Sequence, residues 1–150
     1  MSRIIKSTLI LLAISTVALA QAPKKANTII ITTTDPAEKA FEKYLGYLDD
    51  NGYLIRSEEE FTNIKTSAKQ FRFDVPGQSA IGYLEINLKF EEADGGTKVI
   101  FTGVYSDLSI VKPKPVANKG SSRVGMGMAW RLMNDVAIKY PGGNIEYFIQ

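Results

Sequence analysis

Ser109 and Lys112 stand three residues apart. In serine acyl-enzymes that spacing works on a helix, where one turn brings the Lys amine to the Ser hydroxyl. Here Ile110 and Val111 lie between them and Pro113 follows. Such a stretch favours extended backbone, which sends residues three apart to opposite faces. No Lys-Thr-Gly accompanies the pair, and we read the spacing as chance.

Carboxylates are the next chemistry to weigh. Glu58-Glu59-Glu60 and Glu91-Glu92 with Asp94 could supply an acid/base pair for glycoside hydrolysis or oxygen ligands for Ca²⁺. Both clusters fall at strand ends or turns, where acids are simply solvated. Asp49-Asp50-Asn51-Gly52 has the look of a calcium loop, but Tyr53 and Leu54 stand where an oxygen ligand and a Gly are needed. Helix termination accounts for it better. The chain has no His and no Cys. That excludes Ser-His-Asp and Cys-His catalysis, haem ligation by His, disulfides, and the usual Zn²⁺ and Cu²⁺ sites. No catalytic residue, metal ligand or cofactor is assigned, and a non-enzymatic role is expected.

Three groups of residues remain as candidates for binding. Lys112, Lys114, Lys119 and Arg123 form a local basic patch. Arg123 and its neighbouring serines lie at a helix start, whose free N–H groups suit an anion such as phosphate, a glycan carboxylate or a lipid headgroup. The plain alternative is a charged, solvated loop. Tyr83 and Lys89, with Glu85 and Asn87 between them, would lie on the wet face of a strand. Met126, Trp130 and Met133 share one helical stripe. Such a stripe reads as core, with an apolar-ligand groove between helix and sheet as the alternative.

Local patterns define the elements that carry these residues. Asn27 to Thr33 is a β-branched run and reads as a strand. Asp35-Pro36-Ala37-Glu38 reads as a helix start, with Asp35 as cap and Pro36 in the first helical position. Ala37, Phe41, Tyr44, Leu45 and Leu48 fall on one face, and Asn51-Gly52 ends the helix. Tyr53 to Ser57 reads as a strand, and Glu58 to Lys69 as a bent strand or turn through Phe61 and Ile64. Phe71 to Val75 alternates before a Pro76-Gly77 turn. Ile81 to Phe90 alternates most clearly, with Leu84, Ile86, Leu88 and Phe90 on one side. Asp94-Gly95-Gly96 turns it into a partner strand, Thr97 to Tyr105. Val111 to Ser122 reads as an extended basic loop. Ser121 or Ser122 is expected to cap a helix running to Tyr140, and Ile145 to Ile149 to form a short last strand.

At the N-terminus, Arg3 and Lys6 precede the ten-residue apolar run Thr8 to Val17 and the small-x-small site Ala18-Leu19-Ala20. That pattern is a secretory signal peptide cleaved after Ala20. The run is shorter than the roughly 20 residues a spanning helix needs, and no later segment reads as transmembrane. The precursor carries 18 Lys+Arg against 16 Asp+Glu. Loss of Arg3 and Lys6 leaves 16 of each, which removes a global electrostatic case for nucleic acid. Gln21 to Ala26 reads as a disordered arm, and residues 27–150 as one domain.

The elements imply a two-layer α+β domain: one curved antiparallel sheet with two helices packed on one face, in the order β-α-β(4)-α. Three segments carry a family likeness: Thr34-Asp35-Pro36-Ala37-Glu38, Leu48-Asp49-Asp50-Asn51-Gly52-Tyr53, and the long hairpin from Ile81 to Tyr105. On these the chain resembles small exported envelope domains of the TATA-binding-protein-like fold, such as the repeated domains of the assembly lipoprotein BamC. The resemblance implies a non-enzymatic protein of the periplasm or beyond and supplies no catalytic residues. The chain lacks the Cys that would attach a lipid. The expected function is an exported interaction module for an envelope protein or glycan. A carrier of a small apolar ligand comes second, and a carboxylate-based hydrolase third.

Overall fold

A computed structural model describes residues 21–110 and 112–150. The expected signal peptide, with its expected cleavage after Ala20, falls on residues 1–20, outside the described residues. The elements are β1 (Thr28–Thr33), α1 (Ala37–Asp50), β2 (Ile55–Glu59), β3 (Asn63–Thr66), β4 (Lys69–Val75), β5 (Gln78–Ala93), β6 (Gly96–Asp107), β7 (Lys114–Pro115), α2 (Gly125–Ala137) and β8 (Asn144–Phe148). They make a single antiparallel sheet in the order β2-β3-β5-β6-β1-β8, with β4 joined to β5 and β7 to β6. Both helices pack against it, so the α+β class is as expected.

The β5–β6 hairpin is the spine. It pairs without interruption from Gly82 opposite Asp107 to Ala93 opposite Gly96. Strict alternation explains its length: Leu84, Ile86, Leu88, Phe90, Val99, Phe101 and Tyr105 are all buried on the helix side. β3 and β4 then lie end to end on the free side of β5, opposite Lys89–Asn87 and Leu84–Gln78 respectively. The four strands expected between the helices are therefore more numerous. The ambiguous stretch Glu58 to Lys69 holds a tight turn that divides β2 from β3. Phe61 sits at that turn with φ 58°, a left-handed conformation unusual for a bulky residue. Its ring meets Phe41 edge-on at 5.7 Å, a tertiary contact that offsets the strain.

The two helices meet the sheet differently. α1 presents Ala40, Phe41, Tyr44 and Leu48, all buried. Tyr44 packs edge-on against Phe101 at 5.0 Å, and its hydroxyl donates to Ala137 O at 2.9 Å, joining the helices. Burying a ring of that size contributes about 1.5–3 kcal/mol. α2 comes down on small residues. A Cβ on Gly125 would overlap Tyr105 and Phe73, and one on Gly127 would overlap the Ser121 carbonyl. The helix is shorter than the sequence expectation. It starts at Gly125 behind an extended Val124 that makes no side-chain cap, and it ends at Ala137. Ser121 accepts instead from the Arg123 N–H at 3.2 Å, shaping the approach to the helix.

Two further expectations are corrected. Gln21 to Ala26 is not a free arm. Lys25 N–H donates to Asn118 O at 2.8 Å, Asn118 N–H donates to Ala26 O at 2.7 Å, and Ala26 is fully buried. The Asn118 side chain donates to Ala22 O and Pro23 O as well. Asp35 does not cap α1 either. The cap position is Pro36, with no side-chain bond, and the Asp35 carboxylate turns toward lysines.

Candidate functional site

The basic loop of the sequence is divided by the fold. β7 pairs Lys114 with Tyr105 and Pro115 with Val104, and Val116 is fully buried beside it. That anchor leaves Lys112 and Lys114 at one end, where they line a shallow depression of about 480 Å³ with Ser109 and Ile110. Lys119 and Arg123, both exposed, lie at the other end. There the docked arm, residues 118–122 and the first turns of α2 enclose a cleft of about 610 Å³. Its lining includes Lys24, Asn118, Ser121, Ser122, Trp130 and Arg131.

Each wall of this cleft has a local cause. Asn118 holds the arm in place through its side-chain amide. Gly120, at φ 73°, lets the aliphatic stem of Lys24 lie across it. Gly127 lets the 121 carbonyl cross the start of α2. Trp130 is only 6% exposed and packs on Tyr147, whose hydroxyl donates to Asn134 at 2.9 Å. Among the described residues, Lys24, Lys119 and Arg123 have no carboxylate within ion-pair reach, while Arg131 makes a long contact of 3.9 Å with Asp135. Chemically the cleft offers two cations, Lys24 and Arg131, two hydroxyls and an aromatic floor, which suits an anionic group better than a covalent reaction.

The other sequence candidates lie elsewhere. Tyr83 and Lys89 are on the sheet face away from the helices, and Lys89 pairs with Glu91 at 2.7 Å. They do not join Lys119 and Arg123 in one surface. Met133 is fully buried, filling the space that Gly103 leaves. Met126 is half-buried and its sulfur accepts from Ala117 N–H at 3.3 Å. Ser109 donates its hydroxyl to Asp107 at 2.6 Å, in a turn that Tyr105 also joins. Burial acts to raise Asp107, but bonds from Ser109 and Tyr105 outweigh it and leave its pKa lowered. Burial likewise drives the Tyr105 hydroxyl well above its usual value, and Tyr53 up to about 12. Among the described residues no three Asp or Glu side chains converge as metal ligands, and no helix is long and apolar enough to cross a membrane.

A second cation cluster is built around Asp35. Lys39 donates to its Oδ1 at 2.7 Å and Lys43 to its Oδ2 at 2.8 Å, and the Tyr140 hydroxyl donates to the same carboxylate. These bonds, Lys39 first, hold Asp35 well below the usual carboxylate range. The bond to Asp35 raises Lys43, whose ammonium also sits 4.6 Å above the Tyr140 ring.

Sequence reasoning missed Lys24 and Arg131 as cleft residues. Arg131 was within reach, since it borders the apolar stripe next to Trp130. Lys24 was not, because its place depends on Asn118, which is far away in sequence. Compared with known proteins, the chain matches no protein-family model and no curated protein.

Proposed function

We propose that this chain is an exported, non-enzymatic interaction module of the cell envelope, which binds an anionic protein or glycan at the cleft between the arm, residues 118–122 and α2. One observation carries the reading: Lys24 and Arg131 line one cleft, the exposed Lys119 and Arg123 are chain neighbours of its lining residues, and Lys24, Lys119 and Arg123 have no carboxylate partner among the described residues. Uncompensated cations at a concave surface raise the local concentration of an anionic partner. Trp130 gives such a partner an apolar floor. Met133 and the buried part of α2 fill the space that a carried apolar ligand would need, so we favour this reading over a carrier.

Alginate and poly-glutamate serve as probes for a carboxylated glycan and an acidic protein. Binding at low salt should weaken about tenfold or more in a Lys24→Glu, Lys119→Glu double variant. It should be unchanged in a Tyr83→Ala, Lys89→Ala variant on the opposite sheet face. Absence of binding to both probes, or equal loss in the two variants, would contradict the proposal.

A further inference from the structure

The edges of this sheet are not protected equally. An exposed edge strand offers unpaired backbone groups to any other strand, and proteins blunt it with charges, Pro, bulges or short length. β2 carries Arg56, Glu58 and Glu59, all exposed, and a register shift between Ile55 and Ser57. β4 carries Lys69, Arg72 and Asp74 and runs into Pro76. β7 is two residues long and one of them is Pro115. β8 is the least protected of them. It is five residues long and regular against β1, it carries a single charge at Glu146, and it contains no Lys and no Pro. Phe148 and Ile149 at its end are 39% and 60% exposed.

We infer that β8 pairs antiparallel with β8 of a second copy, extending the sheet across a two-fold axis at Tyr147. The sequence of the strand selects this occupant and this register. Identical antiparallel strands that keep their faces must pair about a residue, because side chains alternate with period two. A centre at Tyr147 sets Ile145 opposite Ile149 and Glu146 opposite Phe148 of the copy. A centre at Glu146 would oppose two carboxylates, which is destabilising. Any such register is isologous, and the Tyr147 one sets Ile145 on Ile149 without opposing like charges. It also lies beside α2, where Asn134 anchors Tyr147 and Ile138 is 48% exposed. The inference is independent of the binding cleft.

Sedimentation equilibrium of the purified chain tests it, with circular dichroism to verify folding. The wild type should dimerise. Phe148→Glu puts a carboxylate opposite Glu146 of the copy and should weaken the dimer tenfold or more. Phe148→Lys puts an ammonium there and should leave the dimer intact. A monomeric wild type would overturn the inference, as would equal behaviour of the two Phe148 variants. So would a β8 edge that pairs only with a strand from another protein.

Discussion

Lys39 and Lys43 at α1, and Lys24, Lys119 and Arg123 near the start of α2, are the same chemistry put to different uses. The first pair closes on Asp35, which also takes the Tyr140 hydroxyl and whose backbone carbonyl accepts from Thr97 at 2.9 Å. Charge there is consumed inside the fold and ties the start of α1 to the chain after α2. The second group has no acid of its own among the described residues, and Lys24 lines a cleft whose other walls adjoin Lys119 and Arg123 in sequence. The difference teaches where to look for a partner. A cation already satisfied holds structure, whereas an unsatisfied one on a concave surface is available to something else.

The largest way to break this comparison is to move α2. A Gly125→Ala change forces a methyl into Tyr105 and Phe73. It should cost about 1–3 kcal/mol by overpacking, read by urea unfolding. Trp130 is the chain's only tryptophan, so its emission should shift as the cleft wall moves. An unchanged midpoint and spectrum would mean that α2 is not held as closely as described.

Asp35→Asn should have a smaller effect, and one that depends on pH. The folded carboxyl is held below its ordinary value, so its contribution is complete above the unfolded pKa near ~3.9. It declines as the pH falls toward the folded value. The gap in unfolding midpoint between wild type and Asp35→Asn should therefore be widest at neutral pH and shrink below about pH 4. A gap independent of pH would remove the lysines from the explanation.

The smallest effect on stability is expected at the open cluster. Lys24→Glu with Lys119→Glu should change unfolding by no more than about 0.5 kcal/mol, since exposed substitutions away from built contacts rarely do more. A large loss would show that these cations are structural after all and would erase the contrast with Lys39 and Lys43.

Much of the fold was legible because its signals are local. The alternation in Leu84 to Phe90 and the turn at Gly95 define the spine, and Asn51-Gly52 stops α1 where expected. What escaped depends on contacts distant in sequence. Asp35 carried the local marks of a cap, yet Tyr140 and two lysines outcompete the helix N-terminus for it. The arm looked free because Gln-Ala-Pro-Lys-Lys-Ala has no apolar pattern, and Asn118 is what holds it. The turn at Phe61 carries no Gly or Asn, so only its packing on Phe41 reveals why it is tolerated. For the site, the loop lysines were legible as a group. Their separation by β7, and the meeting of Lys24 with Arg131 at the cleft, required the fold.

The most direct test of the central claim places a photo-crosslinking side chain at position 119 and, separately, at position 39, in the native envelope. The account predicts a discrete adduct from position 119 that is lost at high salt and in the Lys24→Glu background, and none from position 39. No adduct at 119, or the same adducts from both positions, would contradict it.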